Sequence, residues 1–230
     1  MCGRFSRDRE MAEVEKRFGL NPGGKTLARR FNLAPGQQVE LIVNTDGLKL
    51  TSMKWGLVPH WSKDPDHGFK AINARAETLA QKPSFKGPLK AKRCLIPADG
   101  FYEWQSQGKN KPKTPLYYTL ASGEMFGLAG LWDQWQAPEG KGLKTFTIIT
   151  TRANPLVARV HDRMPVILPP HLEKAWLDPE QKDPDFLLSL LQPYPEAEMQ
   201  VRPVSGVVNS VKNDSPACIA PAGEQKSLFA

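Results

Sequence analysis

Between residues 39 and 168 the chain is a succession of short runs rich in β-branched and aromatic residues, each closed by Gly or Pro. That punctuation rules out long helices through the middle of the molecule and leaves a mainly β-sheet core. The runs are residues 39–43, 48–55, 94–96, 100–105, 116–120, 125–132, 146–151 and 164–168. Helical spacing appears only towards the ends. Residues 7–18 place Met11, Val14 and Phe18 on one face, with Ser6 or Asp8 as a cap and Asn21-Pro22-Gly23-Gly24 as a stop. Residues 171–177 follow a Pro-Pro pair. Asp183 caps a further helix with Pro184 at its first position and Leu187, Leu188 and Leu191 on its apolar face. Many short strands and few helices predict an α+β fold: one compact domain with a β-rich, barrel-like core and peripheral helices.

A hydrophobic fraction of 40% beside a charged fraction of 24% suits a chain with a substantial buried core. No stretch reads as a linker, so one domain is expected over residues 1–222, with residues 223–230 as a frayed tail. Nothing approaches the roughly 18 apolar residues of a membrane helix. The first residues also lack an apolar signal stretch, so a cytoplasmic protein, nucleoid-associated when bound to DNA, is expected. Cys2, Cys94 and Cys218 are too few and too scattered for a disulfide framework or zinc-ligand spacing; no metal and no cofactor are expected. The net charge of +7 favours a polyanionic partner. A monomer is expected.

Cys2 carries the most reactive possibility. Initiator methionine is normally removed before a small residue, and its removal makes Cys2 a 1,2-aminothiol. The amine and thiol have ordinary pKa values of about 7.7–8.0 and about 8.5, so both are partly available near neutrality. The amine condenses with an aldehyde, and the adjacent thiol then closes a five-membered thiazolidine with the advantage of a tethered reactant. Taken alone, Cys2 reads first as an incidental residue on a disordered terminus. Glu103, in Gly100-Phe101-Tyr102-Glu103-Trp104, sits among apolar neighbours that raise a carboxyl pKa, unless it is a surface residue on an edge strand. If the segment 159–163 is extended, Arg159, His161 and Arg163 face one way, a proton shuttle between two cations. Asn73 and Arg75 place an amide and a guanidinium two residues apart, in a segment that also reads as a turn or helix start. Arg4 can hold a phosphate. Trp55 and Trp61 can stack on unpaired bases or fill the core, and Asn32 to Pro35 shape a turn or a binding wall.

In order along the chain stand Cys2-Gly3-Arg4-Phe5, Asn32-Leu33-Ala34-Pro35, Trp55-Gly56-Leu57-Val58-Pro59 and Asn73-Ala74-Arg75-Ala76-Glu77-Thr78. Arg93-Cys94-Leu95-Ile96-Pro97, Gly100-Phe101-Tyr102-Glu103-Trp104, His161-Asp162-Arg163-Met164-Pro165 and Val207-Val208-Asn209 follow. The number and order of these motifs resemble the SOS-response-associated peptidase (SRAP) family of abasic-site processing proteins. The resemblance implies single-stranded DNA containing abasic sites as partner and a covalent thiazolidine between Cys2 and the ring-opened sugar. It implies Asn73, Glu103 and His161 as the remaining catalytic positions, and Arg4, Arg75, Trp61 and Arg163 along the DNA path, with Asn32, Pro35 and Trp55 as further wall residues. Two rivals remain at this stage: an N-terminal-nucleophile peptidase or amidohydrolase in which the Cys2 thiol attacks an amide, and a non-catalytic single-strand-binding module.

Overall fold

A computed structural model describes residues 2–22, 27–63, 66, 71–136, 140 and 142–223. Five strands close on one another by hydrogen bonding. They are β3 (Gln38–Asn44), β4 (Leu48–Trp55), β6 (Arg93–Ala98), β9 (Phe126–Gln136) and β10 (Gly142–Arg152). β3 pairs with β4 and β6, β6 with β9, β9 with β10, and β10 returns parallel to β4. The result is the expected α+β architecture with a barrel core. β5 (Asn73–Arg75), β11 (Arg163–Pro165) and β12 (Ile167–Leu168) attach to its outer strands. A second sheet runs β13-β8-β7-β1-β2, made of β1 (Phe5–Arg7), β2 (Arg30–Leu33), β7 (Gly100–Gln105), β8 (Thr114–Leu120) and β13 (Met199–Pro203).

The two-residue repeat of the strands explains how the layers pack. Val39, Leu41, Val43, Met53, Trp55, Ile96, Leu128, Phe146 and Ile148 join Phe5, Leu33, Phe101 and Tyr118 of the second sheet in one apolar cluster that includes Cys2. The alternate residues Ile42, Leu95, Ala129, Leu131 and Ile149 pack with the helices. These are α1 (Met11–Phe18), α2 (Pro83–Ala91), α4 (Pro170–Leu177) and α5 (Pro184–Ser189), while the short α3 (Pro155–Ala158) packs Val157 into the cluster of Cys2. Phe31, Tyr102 and Tyr117, on the other face of the second sheet, pack against Val204, Val208 and Cys218 of the C-terminal segment.

Two terminal expectations need correction. The first helix starts at Met11, because residues 5–7 extend and pair with both β2 and β7. Its cap is Glu10, whose carboxylate and that of Glu13 reciprocate with backbone N–H groups, in place of Ser6 or Asp8. The run 164–168 is two strands and not one. Helix α2 carries Gly87 and an internal Pro88, which read as breakers; burial of Phe85, Pro88 and Leu89 stabilises it nonetheless. The Asp183 cap and Pro184 start are as expected, with the Asp183 carboxylate accepting from Asp185 N–H at 3.0 Å. The stop at Gly23-Gly24 and most of the expected tail, residues 224–230, lie outside the described residues.

The packing between β6, β9 and β10 leaves no room for a side chain at Gly130. A Cβ there would stand 2.5 Å from Ile96 Cδ1, and 2.9 Å from both Cys94 Sγ and the Thr147 carbonyl oxygen. Gly130→Ala should lower unfolding free energy by about 1–3 kcal/mol in a urea titration, whereas a change inside 0.3 kcal/mol would show that the contact relaxes freely.

Candidate active site

The N-terminal residues enter the interior because β1 is the central strand between β2 and β7. Phe5 faces Phe101 and Ser6 faces Gly100 in antiparallel register. The pairing continues one step back, where Tyr102 N–H donates to the Arg4 carbonyl at 3.0 Å. Gly3 and Cys2 precede β1, and Cys2 joins the apolar cluster of Phe5 and Phe101. Gly100 is required beneath this crossing, since a Cβ would meet the Tyr117 ring at 2.4 Å. Ser6 Oγ and the Tyr117 hydroxyl hydrogen bond at 2.7 Å at the same point.

In the chain that still carries Met1, Cys2 is wholly buried. Burial first, and the Glu103 carboxylate second, push its thiol up to about 12. The Arg4 backbone N–H hydrogen bonds the sulfur and opposes that rise. Glu103 is 7% exposed, and desolvation raises its carboxyl above the ordinary carboxylate range. Its charge also raises the Tyr118 hydroxyl, after desolvation, while Asp162 acts on Glu103 in the same sense. Cys2, Glu103, Tyr118 and the His161–Asp162 turn therefore share one electrostatic neighbourhood.

His161 comes from the loop after α3, where its N–H donates to Val157 at 3.0 Å. Desolvation lowers its pKa below the ordinary imidazole value. Nδ1 lies 3.0 Å from Arg163 N–H and 2.9 Å from an Asp162 carboxylate oxygen. These contacts call for opposite proton states of Nδ1. The backbone donor is the fixed one and the Asp162 side chain is largely exposed, so Nδ1 accepts and Nε2 carries the proton of the neutral ring. Asn73 reaches the site from β5, opposite Ile148 of the cluster that contains Cys2. Its amide nitrogen donates to the Ile72 carbonyl at 3.0 Å, and its buried Oδ1 has no partner among the described residues. A buried acceptor without a protein partner suits a ligand N–H or O–H.

The expected wall residues divide. Arg75 is exposed, two residues from Asn73. Trp61 is 51% exposed, on a loop held by His60 N–H to Asp133 at 2.9 Å and Trp135 Nε1–H to the Ser62 carbonyl at 2.6 Å. Arg4 is half-buried, its guanidinium 5.3 Å from the Trp104 ring centroid. Pro35 is half-buried in the turn whose Gly36 N–H donates to the Trp55 carbonyl. Three expectations are corrected. Trp55 is 1% exposed, packs on Phe5 and Phe146, and donates Nε1–H to the Ile72 carbonyl, so it has no face for a base. Asn32 is buried with its amide consumed by the carbonyls of Val208, Ser210 and Asn213. Arg163 is clamped by both Glu77 oxygens at 2.7 and 2.9 Å and by the Thr150 carbonyl at 2.6 Å, so it braces β10 and β11 instead of lining a strand of DNA. Nor is the segment 159–163 extended: Arg159 caps α3 in helical geometry. Sequence reasoning passed over Tyr118 and gave Asn209 no role beyond its place in a motif. Only the cross-strand register and the fold of the C-terminal segment bring them to the site.

A sequence model described as SOS response associated peptidase (SRAP) matches residues 1–211. The abasic site processing protein YoqW of Bacillus subtilis strain 168 is 48% identical over 224 residues, covering 95% of this chain and 99% of that protein. The abasic site processing protein HMCES of Gallus gallus is 38% identical over 195 residues, 75% of this chain and 57% of its own longer length. Among solved structures, a protein of Bacteroides thetaiotaomicron superposes with a TM-score of 0.85 at 27% identity, over 96% of this chain and the whole of that one.

The buried thiol makes a direct chemical prediction. With Met1 retained, Cys2 should react with iodoacetamide at pH 8 at least about 100-fold more slowly than free cysteine, because its thiolate fraction is suppressed. Peptide-resolved mass spectrometry checks this, and labelling at the free-cysteine rate would show that the side chain is not held as described.

Proposed function

The chain belongs to the SRAP family, and from that premise we propose that it processes abasic sites in single-stranded DNA through a covalent thiazolidine formed by Cys2 once Met1 is removed. The observation that carries the reading is the gathering of a would-be terminal aminothiol with a desolvated carboxyl and a neutral imidazole in one buried neighbourhood. Two relatives named as abasic site processing proteins support the substrate class.

The chemistry follows from what each group can do. The ring-closed abasic sugar is a hemiacetal. His161 donates its Nε2 proton to the departing ring oxygen while the C1′ hydroxyl proton is handed back to Nε2 through water, which frees the aldehyde. The Cys2 amine adds to that carbon and gives a carbinolamine. Glu103, whose burial favours the protonated form, donates a proton to the departing hydroxyl, which leaves as water and yields the iminium. The Glu103 carboxylate then accepts the thiol proton as sulfur adds to the iminium carbon and closes the ring. In balance, amine, thiol and aldehyde give a thiazolidine and one water. Asn73 Oδ1 holds the amine or a sugar hydroxyl in register. The adduct no longer has the aldehyde that drives β-elimination, so the strand is shielded from breakage. Arg4, Arg75 and the exposed Trp61 supply cationic and stacking contacts for the unpaired strand. The SRAP description also carries the word peptidase. Turnover of a peptide by the purified chain without DNA would favour the amide-attack reading.

Cys2→Ala should abolish the denaturation-resistant adduct on an abasic single-stranded oligonucleotide, read by intact mass; a persisting adduct of the same mass refutes the assignment. Glu103→Gln should slow adduct formation by about 10²- to 10⁴-fold, the usual scale for a lost general acid–base, while affinity for the intact strand stays unchanged. The sign of the pH dependence follows from the raised Glu103 pKa. The protonated acid persists above the ordinary carboxylate range, so the rate should fall as pH rises through the raised value. That descending limb should vanish in Glu103→Gln, and a limb of unchanged position in the variant would assign it to another group.

A further inference from the structure

The C-terminal segment after β13 folds back across the second sheet and ends in a bridge between Val204 and Pro221. Its contacts converge on one target. Asp214 Oδ1 accepts from the backbone N–H groups of Phe31 at 2.5 Å and Asn32 at 3.0 Å, and Oδ2 pairs with Arg30. The Asn32 amide nitrogen donates to the Val208, Ser210 and Asn213 carbonyls at 3.2, 3.0 and 2.6 Å. Its Oδ1 accepts from Arg4 Nη1 at 2.7 Å, and the Val208 carbonyl accepts from the same nitrogen at 2.8 Å. Asn209 Oδ1 accepts from Trp104 Nε1–H at 2.7 Å, and the Trp104 ring lies under the Arg4 guanidinium. Arg4 in turn presents its backbone N–H to the Cys2 sulfur.

These contacts form a chain of polar groups from the exposed Asp214 through the buried Asn32 to the half-buried Arg4 and the aminothiol. Asp214 lies beyond residue 211, where the family match ends. We propose that Asp214 is a positioning residue that locks the C-terminal strap onto β2 and thereby fixes Arg4 and Cys2 for reaction; the kinetic part of this rests on the crosslinking function proposed above. Its carboxylate acts through its acceptor oxygen. The two adjacent N–H groups at Phe31 and Asn32 are served by a single oxygen, and that service holds β2 against the strap whose carbonyls fix the Asn32 amide on which Arg4 depends. Asp214 touches neither substrate nor reacting atoms. The Arg30 pair is a quarter exposed on both sides and contributes less than the backbone contacts.

The test uses the full chain with Met1 removed and two variants. Asp214→Ala deletes the acceptor; Asp214→Asn keeps an oxygen for the two N–H groups and loses only the charge. On a saturating abasic oligonucleotide, Asp214→Ala should form adduct about tenfold more slowly, the order of effect expected from slight misplacement of a reacting group. Affinity for the undamaged strand should stay within about twofold, and Asp214→Asn should recover most of the rate. Hydrogen–deuterium exchange, which needs no DNA, should rise in Asp214→Ala over residues 2–7 and 30–33 and stay unchanged in β9 and β10. A parental adduct rate in Asp214→Ala, no rescue by Asp214→Asn, or equal loosening of β9 and β10 would each overturn the proposal. If the parent chain itself forms no adduct, the function proposed above fails, while exchange at residues 2–7 still decides whether Asp214 positions the N-terminal strand.

Discussion

The pairing of the N-terminal strand between β2 and β7 is the constraint on which the rest of the site depends. A chain terminus usually frays because few contacts hold it. Here residues 5–7 are the middle strand of a sheet, so the residue three positions earlier is delivered into a closed interior. Antiparallel register does the aiming: the step from Phe5–Phe101 back to Arg4–Tyr102 sets Cys2 beside the strand that carries Glu103. A slip of one residue would turn Glu103 off the face it shares with Phe5 and Phe101. Gly100 and the Ser6–Tyr117 hydrogen bond guard against that slip.

Once delivered, the groups acquire their chemistry from the low-polarity surroundings. The same desolvation raises the acids and lowers the base: the Cys2 thiol and the Glu103 carboxyl are pushed up, the His161 imidazole down. Each shift favours the uncharged form, the state in which protons can be passed without first separating charge. Cationic side chains are divided by their contacts. Arg163 and Arg93 are spent on internal carboxylates and carbonyls. Arg4 is held at the edge of the site by Asn32 and Val208, and Arg75 remains at the surface. Net charge alone does not separate these uses, because an arginine in a motif reads the same whether it braces two strands or faces a polyanion.

The sequence by itself determined the architecture and singled out the residue on which the proposed chemistry rests. Alternation of apolar residues with Gly and Pro stops specifies many short strands wherever they pair, so most strands between residues 38 and 152 lie within a few residues of where periodicity puts them. Ordered motifs from Cys2 to Asn209 determined the family. Tertiary structure decided which polar and aromatic residues are available. Burial turned Trp55 into core and Asn32 and Arg163 into braces, since each finds its partner more than ten residues away in sequence, across a sheet or under the C-terminal strap. It also made strands of residues 5–7, 30–33 and 73–75, too short for a periodic signal and stabilised only by neighbours already in place. Local sequence encodes which residues can react and which segments can extend. Pairing and desolvation, which depend on distant segments meeting, decide which of them share a site and in what protonation state.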